Sequence, residues 1–177
     1  MNLMFYKANA FTGVVLASWN VGSVTSMESM FSDNHAMNGD LSLWDTSKVT
    51  NMAYMFRNAK AFDGDLAKWQ TSSVTTMQSM FEGADEFSGR GGLSNWNVEQ
   101  VTDMHRMFGW AKKFNGDVSA WTTTKVTRMS EMFRDTNVFT CDLSQWQVGE
   151  VTSMSYMFCN AKAFNSDVTG WDVTKVA

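Results

Sequence analysis

Hydrophobic residues recur along this chain in fixed columns, and the columns themselves repeat. Tryptophan stands at 19, 44, 69, 96, 121, 146 and 171, at successive steps of 25, 25, 27, 25, 25 and 25 residues. Taking each tryptophan as position zero, plus five is valine in every copy and plus six is threonine in the six copies that continue. Methionine follows at plus eight and a Met-Phe pair at plus eleven and twelve. After Trp44 these are Val49, Thr50, Met52, Met55 and Phe56, with Ala59 at plus fifteen and Phe62 at plus eighteen. Alanine usually holds plus fifteen, with Asn34 and Thr136 as exceptions. A large residue that returns to one position meets the same surroundings once per turn, and for indole, thioether and phenyl groups those surroundings are an interior. Trp19, Trp44, Trp69, Trp96, Trp121, Trp146 and Trp171, with Met52, Met55, Phe56 and Phe62, are the expected core.

Two periods alternate within a copy. Leu41, Trp44 and Thr46 follow the L-x-x-L-x-L spacing of a short inner strand, and plus two is always Val or Thr. Val49, Met52, Met55, Phe56, Ala59 and Phe62 then fall at helical steps, one to three turns long. Asn38-Gly39-Asp40, Asp63-Gly64-Asp65 and Asn115-Gly116-Asp117 supply turn chemistry. The predicted fold is an α/β, leucine-rich-repeat-like, right-handed solenoid with one short parallel strand and one short helical segment per 25-residue turn. A β-solenoid without helix is the runner-up. Residues 1–177 form a single repeat array of about seven turns, the first and last incomplete.

The run Leu41-Ser42-Leu43-Trp44-Asp45-Thr46-Ser47-Lys48-Val49-Thr50-Asn51-Met52, continued by Met55-Phe56, Ala59, Phe62 and Gly64-Asp65, resembles the BspA-like family of surface-protein repeats. Such 25- to 26-residue units also occur in mycoplasma-type lipoproteins and in protist and algal proteins. Six consecutive copies keep V-T-x-M-x-x-M-F, so the resemblance spans essentially the whole chain. It implies a leucine-rich-repeat-like solenoid, often at the cell surface, engaged in adhesion or protein interaction. It implies no shared catalytic residues.

Composition changes this picture little. The repeat columns absorb all 13 phenylalanines and 14 of the 15 methionines. Lys+Arg 14 against Asp+Glu 18 gives a net charge of −4, with no basic footprint for nucleic acid. No apolar run approaches the ~18 residues of a membrane span, and Met1-Asn2-Leu3-Met4-Phe5 has no basic-then-apolar export pattern. Proline is absent, as suits a backbone whose N–H groups are all engaged.

Candidate chemistry is sparse. Asp40, Asp65, Asp117, Asp142 and Asp167 form a column, either a calcium ladder or, the favoured reading, acceptors for turn N–H groups. The threonine column invites ice or mineral binding; capping and local backbone bonding is favoured. His35 and His105 occupy different columns, as do Cys141 and Cys159, so neither pair makes a metal or catalytic couple. Gly89-Arg90-Gly91-Gly92 is too short for a phosphate loop. No catalytic, cofactor or metal residues are expected, and the protein reads as a non-enzyme.

What remains is the outward face. Beside each tryptophan the following residue reads Asn20, Asp45, Gln70, Asn97, Thr122, Gln147 and Asp172, and the preceding one includes Lys68, Asn95 and Gln145. These vary while the interior does not, as a recognition surface would. Trp110, which lies outside the tryptophan period, joins them as a candidate contact. The expected function is a non-catalytic protein-interaction, scaffold or adhesion module with a protein partner. Cell-surface glycan binding, or ice or mineral binding, are the alternatives. Because both ends fall inside a repeat, the chain is expected to be a segment of a longer array or to have its ends covered in a larger assembly.

Overall fold

A computed structural model describes residues 1–177. Each repeat forms one rung that rests on the next, and bridges between rungs are parallel, as at Ser26–Asn51, Asn51–Thr76 and Thr76–Asp103. These bridges are isolated, and no strand or sheet forms. There is no α-helix either; the only helical pieces are two single 3-10 turns, Leu16–Ser18 and Leu93–Asn95. The expected α/β architecture is therefore wrong in both of its elements, and the β-solenoid alternative fails with it. The rungs are built almost wholly of turns.

The helical stripe fails for a reason visible in its hydrogen bonds. Between 27 and 34, the N–H groups of Met30, Ser32 and Asn34 reach three residues back, to the carbonyls of Met27, Ser29 and Phe31. Those of Met27, Ser29, Phe31 and Asp33 leave the rung altogether and donate to Asn51, Ala53, Met55 and Arg57 of the next, at 3.0, 2.9, 2.9 and 2.7 Å. An α-helix would keep every one of these donors for its own carbonyls. Here alternate donors are exported, and overlapping turns result. Their backbone needs a left-handed residue at plus ten and plus fourteen, such as Ser29 at φ 54° and Asp33 at φ 55°. Thirteen non-glycine residues take positive φ, all in these two columns. None of them is Val, Ile or Thr, for which that conformation is most costly.

The strand motif also resolves into turns. Trp44 N–H donates to the Leu41 carbonyl and Val49 N–H to the Thr46 carbonyl, each three residues back. The spacing that reads as a strand is thus two tight corners. Thr46, Thr71 and Thr123 are buried at the second corner, and each hydroxyl donates to a carbonyl of the next rung, those of Gln70, Asn97 and Gln147. Thr123→Val should cost about 1 kcal/mol, because the shape is kept and one inter-rung bond is lost. Valine already stands at this position in Val98 and Val148. A urea midpoint equal to that of the parent protein would show that the hydroxyl adds nothing.

The core is one continuous cluster of 43 buried residues. Trp44, Trp69, Trp96, Trp121 and Trp146 stack at 6.2–6.5 Å with planes within 7°. Each indole N–H donates across a rung boundary, from Trp44 to the Leu16 carbonyl and likewise from Trp69 to that of Leu41. The plus-twelve phenylalanines run parallel to this file at 5.5–5.8 Å, each stacked at 3.8–4.2 Å on the plus-eighteen ring of its own rung. Met52, Met55, Phe56 and Phe62 are wholly buried, while Trp19 and Trp171 on the outermost rungs are only half covered. Met1 belongs to the pattern after all: its ammonium bonds the Ser26 carbonyl, the place that the plus-eight N–H takes elsewhere.

Insertions sit at corners. The Gly89–Gly92 insert passes so close to its neighbours that a Cβ on Gly92 (φ +82°) would lie 2.4 Å from Ala67 Cβ. Glycine is required there on both counts.

Candidate functional site

The turn-built corners decide which side chains face outward. Asn20, Asp45, Gln70, Asn97, Thr122, Gln147 and Asp172 are all exposed, as are Lys68, Asn95 and Gln145. The structure brings them together as two adjacent columns on one face. Leu43 joins them, 67% exposed in the column of Lys68. Five members are tied to their own backbone: the side-chain oxygens of Asn20, Asp45, Asn97 and Asp172 accept from the N–H groups of Gly22, Ser47, Glu99 and Thr174, and the Gln147 amide donates to the Gln145 carbonyl. Their identity is thus set partly by the corner they close. Gln70, Thr122, Lys68, Asn95 and Gln145 make no such bond to their own backbone. Around Asn95, Asn97, Glu99, Ala120 and Thr122 this face is dented by a depression of about 190 Å³.

The aspartate column behaves as turn chemistry. Asp40, Asp65, Asp117, Asp142 and Asp167 each accept the N–H two residues on, at 2.9–3.0 Å. No group of three or more His, Cys, Asp or Glu is placed to hold a metal ion. In the threonine column, Thr50, Thr75, Thr102, Thr127 and Thr152 each donate both N–H and hydroxyl to the carbonyl of the threonine one rung back. Their donors are engaged between rungs, which is neither a helix cap nor a free hydroxyl array. The interior repeat tryptophans, Trp44, Trp69, Trp96, Trp121 and Trp146, present no face for stacking a ligand. Trp110 is half-buried, with the guanidiniums of Arg106 and Arg134 over its ring at 5.7 and 4.9 Å.

A second face carries inter-rung ion pairs that single-residue reading misses. Glu131, 8% exposed, accepts from Arg106 at 2.7 Å and from Arg134 at 2.9 Å. Arg128 meets Asp103 at 2.7 Å, and Lys60 and Lys112 flank Asp85. The signal was present in the sequence, since Arg106 and Glu131, like Arg57 and Glu82, stand one period apart in the same column.

These arrangements set the acid response. Hydrogen bonds from Arg106, and less strongly from Arg134, hold the Glu131 carboxyl below its ordinary value. At Asp40, Asp45, Asp117, Asp167 and Asp172 the hydroxyl two residues on, then its backbone N–H, does the same. Such depressed groups stabilise fully above the unfolded carboxylate value, and that stability is lost as pH falls through the folded one. His105 differs: burial, then Arg106 and Arg128, push it down. A lowered histidine begins to oppose folding once the pH drops below its unfolded value, about 6.5. Stability should therefore sag first below about pH 6.5 and fall steeply below about pH 4. In a urea-midpoint series His105→Gln should erase the first step and spare the second; an unchanged first step would contradict the assignment.

A family model described as "Mycoplasma protein of unknown function, DUF285" matches the chain twice, over residues 1–91 and 86–177. No curated protein and no solved structure matches it. No helix is long and apolar enough to cross a membrane.

Proposed function

The chain belongs to the family described as Mycoplasma protein of unknown function, DUF285, and we propose that it is a non-catalytic interaction module whose outward columns beside the tryptophan file recognise a protein partner. The observation that carries this reading is the contrast between two neighbouring sets of columns. The inward set repeats one residue type at nearly every rung, while the outward set changes from Asn20 through Gln70 to Asp172 on the same rigid spacing. Gln70, Lys68 and Asn95 are free of the corner-closing bonds that explain Asn20 and Asp45, so those bonds do not account for them. The finer kinship with BspA-like surface repeats, resting on V-T-x-M-x-x-M-F, supports adhesion at a cell surface as the setting.

The glycan alternative is weaker on this surface, because the tryptophans are interior and both guanidiniums sit over Trp110. A cross-linking capture from native extract tests the proposal in three arms. The parent chain should enrich a defined partner, and Lys68→Ala/Gln70→Ala/Asn95→Ala should lose it. A change on the ion-pair face, Arg57→Ala, should keep it. Equal capture by all three proteins would refute the assignment of this face.

A further inference from the structure

The rung between Trp69 and Trp96 is two residues longer than its neighbours, and from the corner it makes we infer a binding site for a carboxylate, presented by an aspartyl side chain of another polypeptide. In four interior rungs the aspartate four residues before the tryptophan, Asp40, Asp65, Asp117 or Asp142, accepts the N–H two residues on. Asp117 also accepts the Ser119 hydroxyl at 2.7 Å. In the longer rung Gly92 takes the aspartate place. Ser94 stands where those donors stand, and neither its N–H nor its hydroxyl has a partner in the protein. The turn Leu93–Asn95 is too short to act through a dipole. These donors count because the sister rungs show what they hold, a carboxylate on a one-carbon stem.

The same corner carries a cation without a counter-charge. Of the five arginines, Arg57, Arg106, Arg128 and Arg134 each meet a carboxylate, whereas Arg90 meets none. The acidic groups around it are already engaged. Asp63 accepts the N–H and hydroxyl of Ser88, Glu86 pairs with Lys113, and Asp117 holds Ser119. Arg90 and Ser94 line one concavity of about 270 Å³, and Arg90 also borders a second of about 410 Å³. A guanidinium offers its N–H groups as a planar fork that matches the two oxygens of a carboxylate. The corner thus presents a charged fork, a hydroxyl and an N–H to one open space.

The insert holds this arrangement in place. Its backbone is tied to both neighbouring rungs, by the Leu66 N–H to the Gly91 carbonyl and the Asn115 N–H to that of Ser88. A Cβ on Gly89 would lie 2.6 Å from the Phe114 ring, and one on Gly91 2.9 Å from Asp65 Cα, so the extra residues lie flat against their neighbours. A backbone ordered in advance lowers the entropy lost on binding. Asp65 and Asp117 flank Gly92 in the same column, which disfavours a doubly charged phosphate. A single carboxylate only repeats the like-charge step that Asp117 and Asp142 already make, and here Arg90 offsets it. The site lies outside the outward columns beside the tryptophans, and it does not depend on what they bind.

Nuclear magnetic resonance titration of the isotope-labelled full chain at low ionic strength tests this with two capped peptides, acetyl-Gly-Asp-Gly-amide and its Asn counterpart. The Asp peptide should shift the Ser94 amide and the Arg90 Nε–H signals saturably, and the Asn peptide should not. Arg90 is exposed, so Arg90→Gln should leave the remaining spectrum unchanged while weakening the Asp peptide at least about tenfold. Lys68→Ala, on the outward columns, should bind the peptide as the parent does, so a failure of those columns and a failure here are read separately. Absence of a saturable shift, an equal response to both peptides, or parent-like affinity in Arg90→Gln would overturn the proposal. Glucuronate binding more tightly than the Asp peptide would overturn the assignment to a polypeptide.

Discussion

Phe81→Ala should lower the unfolding free energy by about 3–5 kcal/mol, the largest loss expected of any single truncation here. Its ring is fully buried and stacks on Phe87 at 3.9 Å in its own rung, on Phe56 at 5.5 Å and Phe108 at 5.8 Å in the adjoining rungs, and lies 6.3 Å from Trp96. Removing it opens a void in the middle of the file, where neither neighbour can collapse without breaking its own stack. Each rung touches only its neighbours, so the damage is also a cut in the chain of couplings. We expect the single unfolding transition to broaden or split, with the urea slope falling as the two halves uncouple. Phe164→Ala, half-exposed on the last rung, is the control and should cost clearly less. Equal losses at both positions would mean that stability is not carried by the continuous aromatic file.

Asn34→Ala should do the opposite and raise stability by about 1–3 kcal/mol. Asn34 is wholly buried, and neither its side-chain oxygen nor its nitrogen has a hydrogen-bond partner. It occupies the column that elsewhere holds Ala59, Ala84 and Ala111, all fully buried, or Thr136, whose hydroxyl donates to the Phe133 carbonyl. The packing around this site therefore accepts alanine without rearrangement, and the substitution removes two desolvated groups with nothing lost in exchange. A small void offsets part of the gain, which is why the expected figure stays below the full cost of two orphaned groups. Calorimetry of the two proteins decides it: a lower melting temperature for Asn34→Ala would show that the amide is engaged by partners that sustain the fold.

The candidate face was legible to a similar depth. That Asn20, Asp45, Gln70 and their column mates point outward followed from their place beside a buried tryptophan, and they are exposed. That Asn20, Asp45, Asn97 and Asp172 close their own corners did not follow, because an Asx contact depends on a backbone bend the strand expectation lacked. Trp110 falls outside the period and is expected to stand exposed as a contact, but it is half-buried beneath two guanidiniums. Its two arginine neighbours come from plus ten of its own rung and plus thirteen of the next, and the second, Arg134, lies beyond any local window.

The amino-acid sequence alone determined the period, the membership of the core and the direction in which each column faces. Those depend only on which side chains water excludes, and that property is written residue by residue. The tertiary stack decided the backbone. A stripe at helical steps and an L-x-x-W-x-T corner each have two ways to satisfy their N–H groups, within the rung or across to the next. Once the neighbouring rung lies at ring-stacking distance, its carbonyls at 2.7–3.0 Å capture alternate donors between 27 and 33, and residues such as Ser29 and Asp33 turn left-handed to allow it. Helix and strand give way because the competing acceptors belong to residues about 25 positions away, beyond the reach of any local propensity.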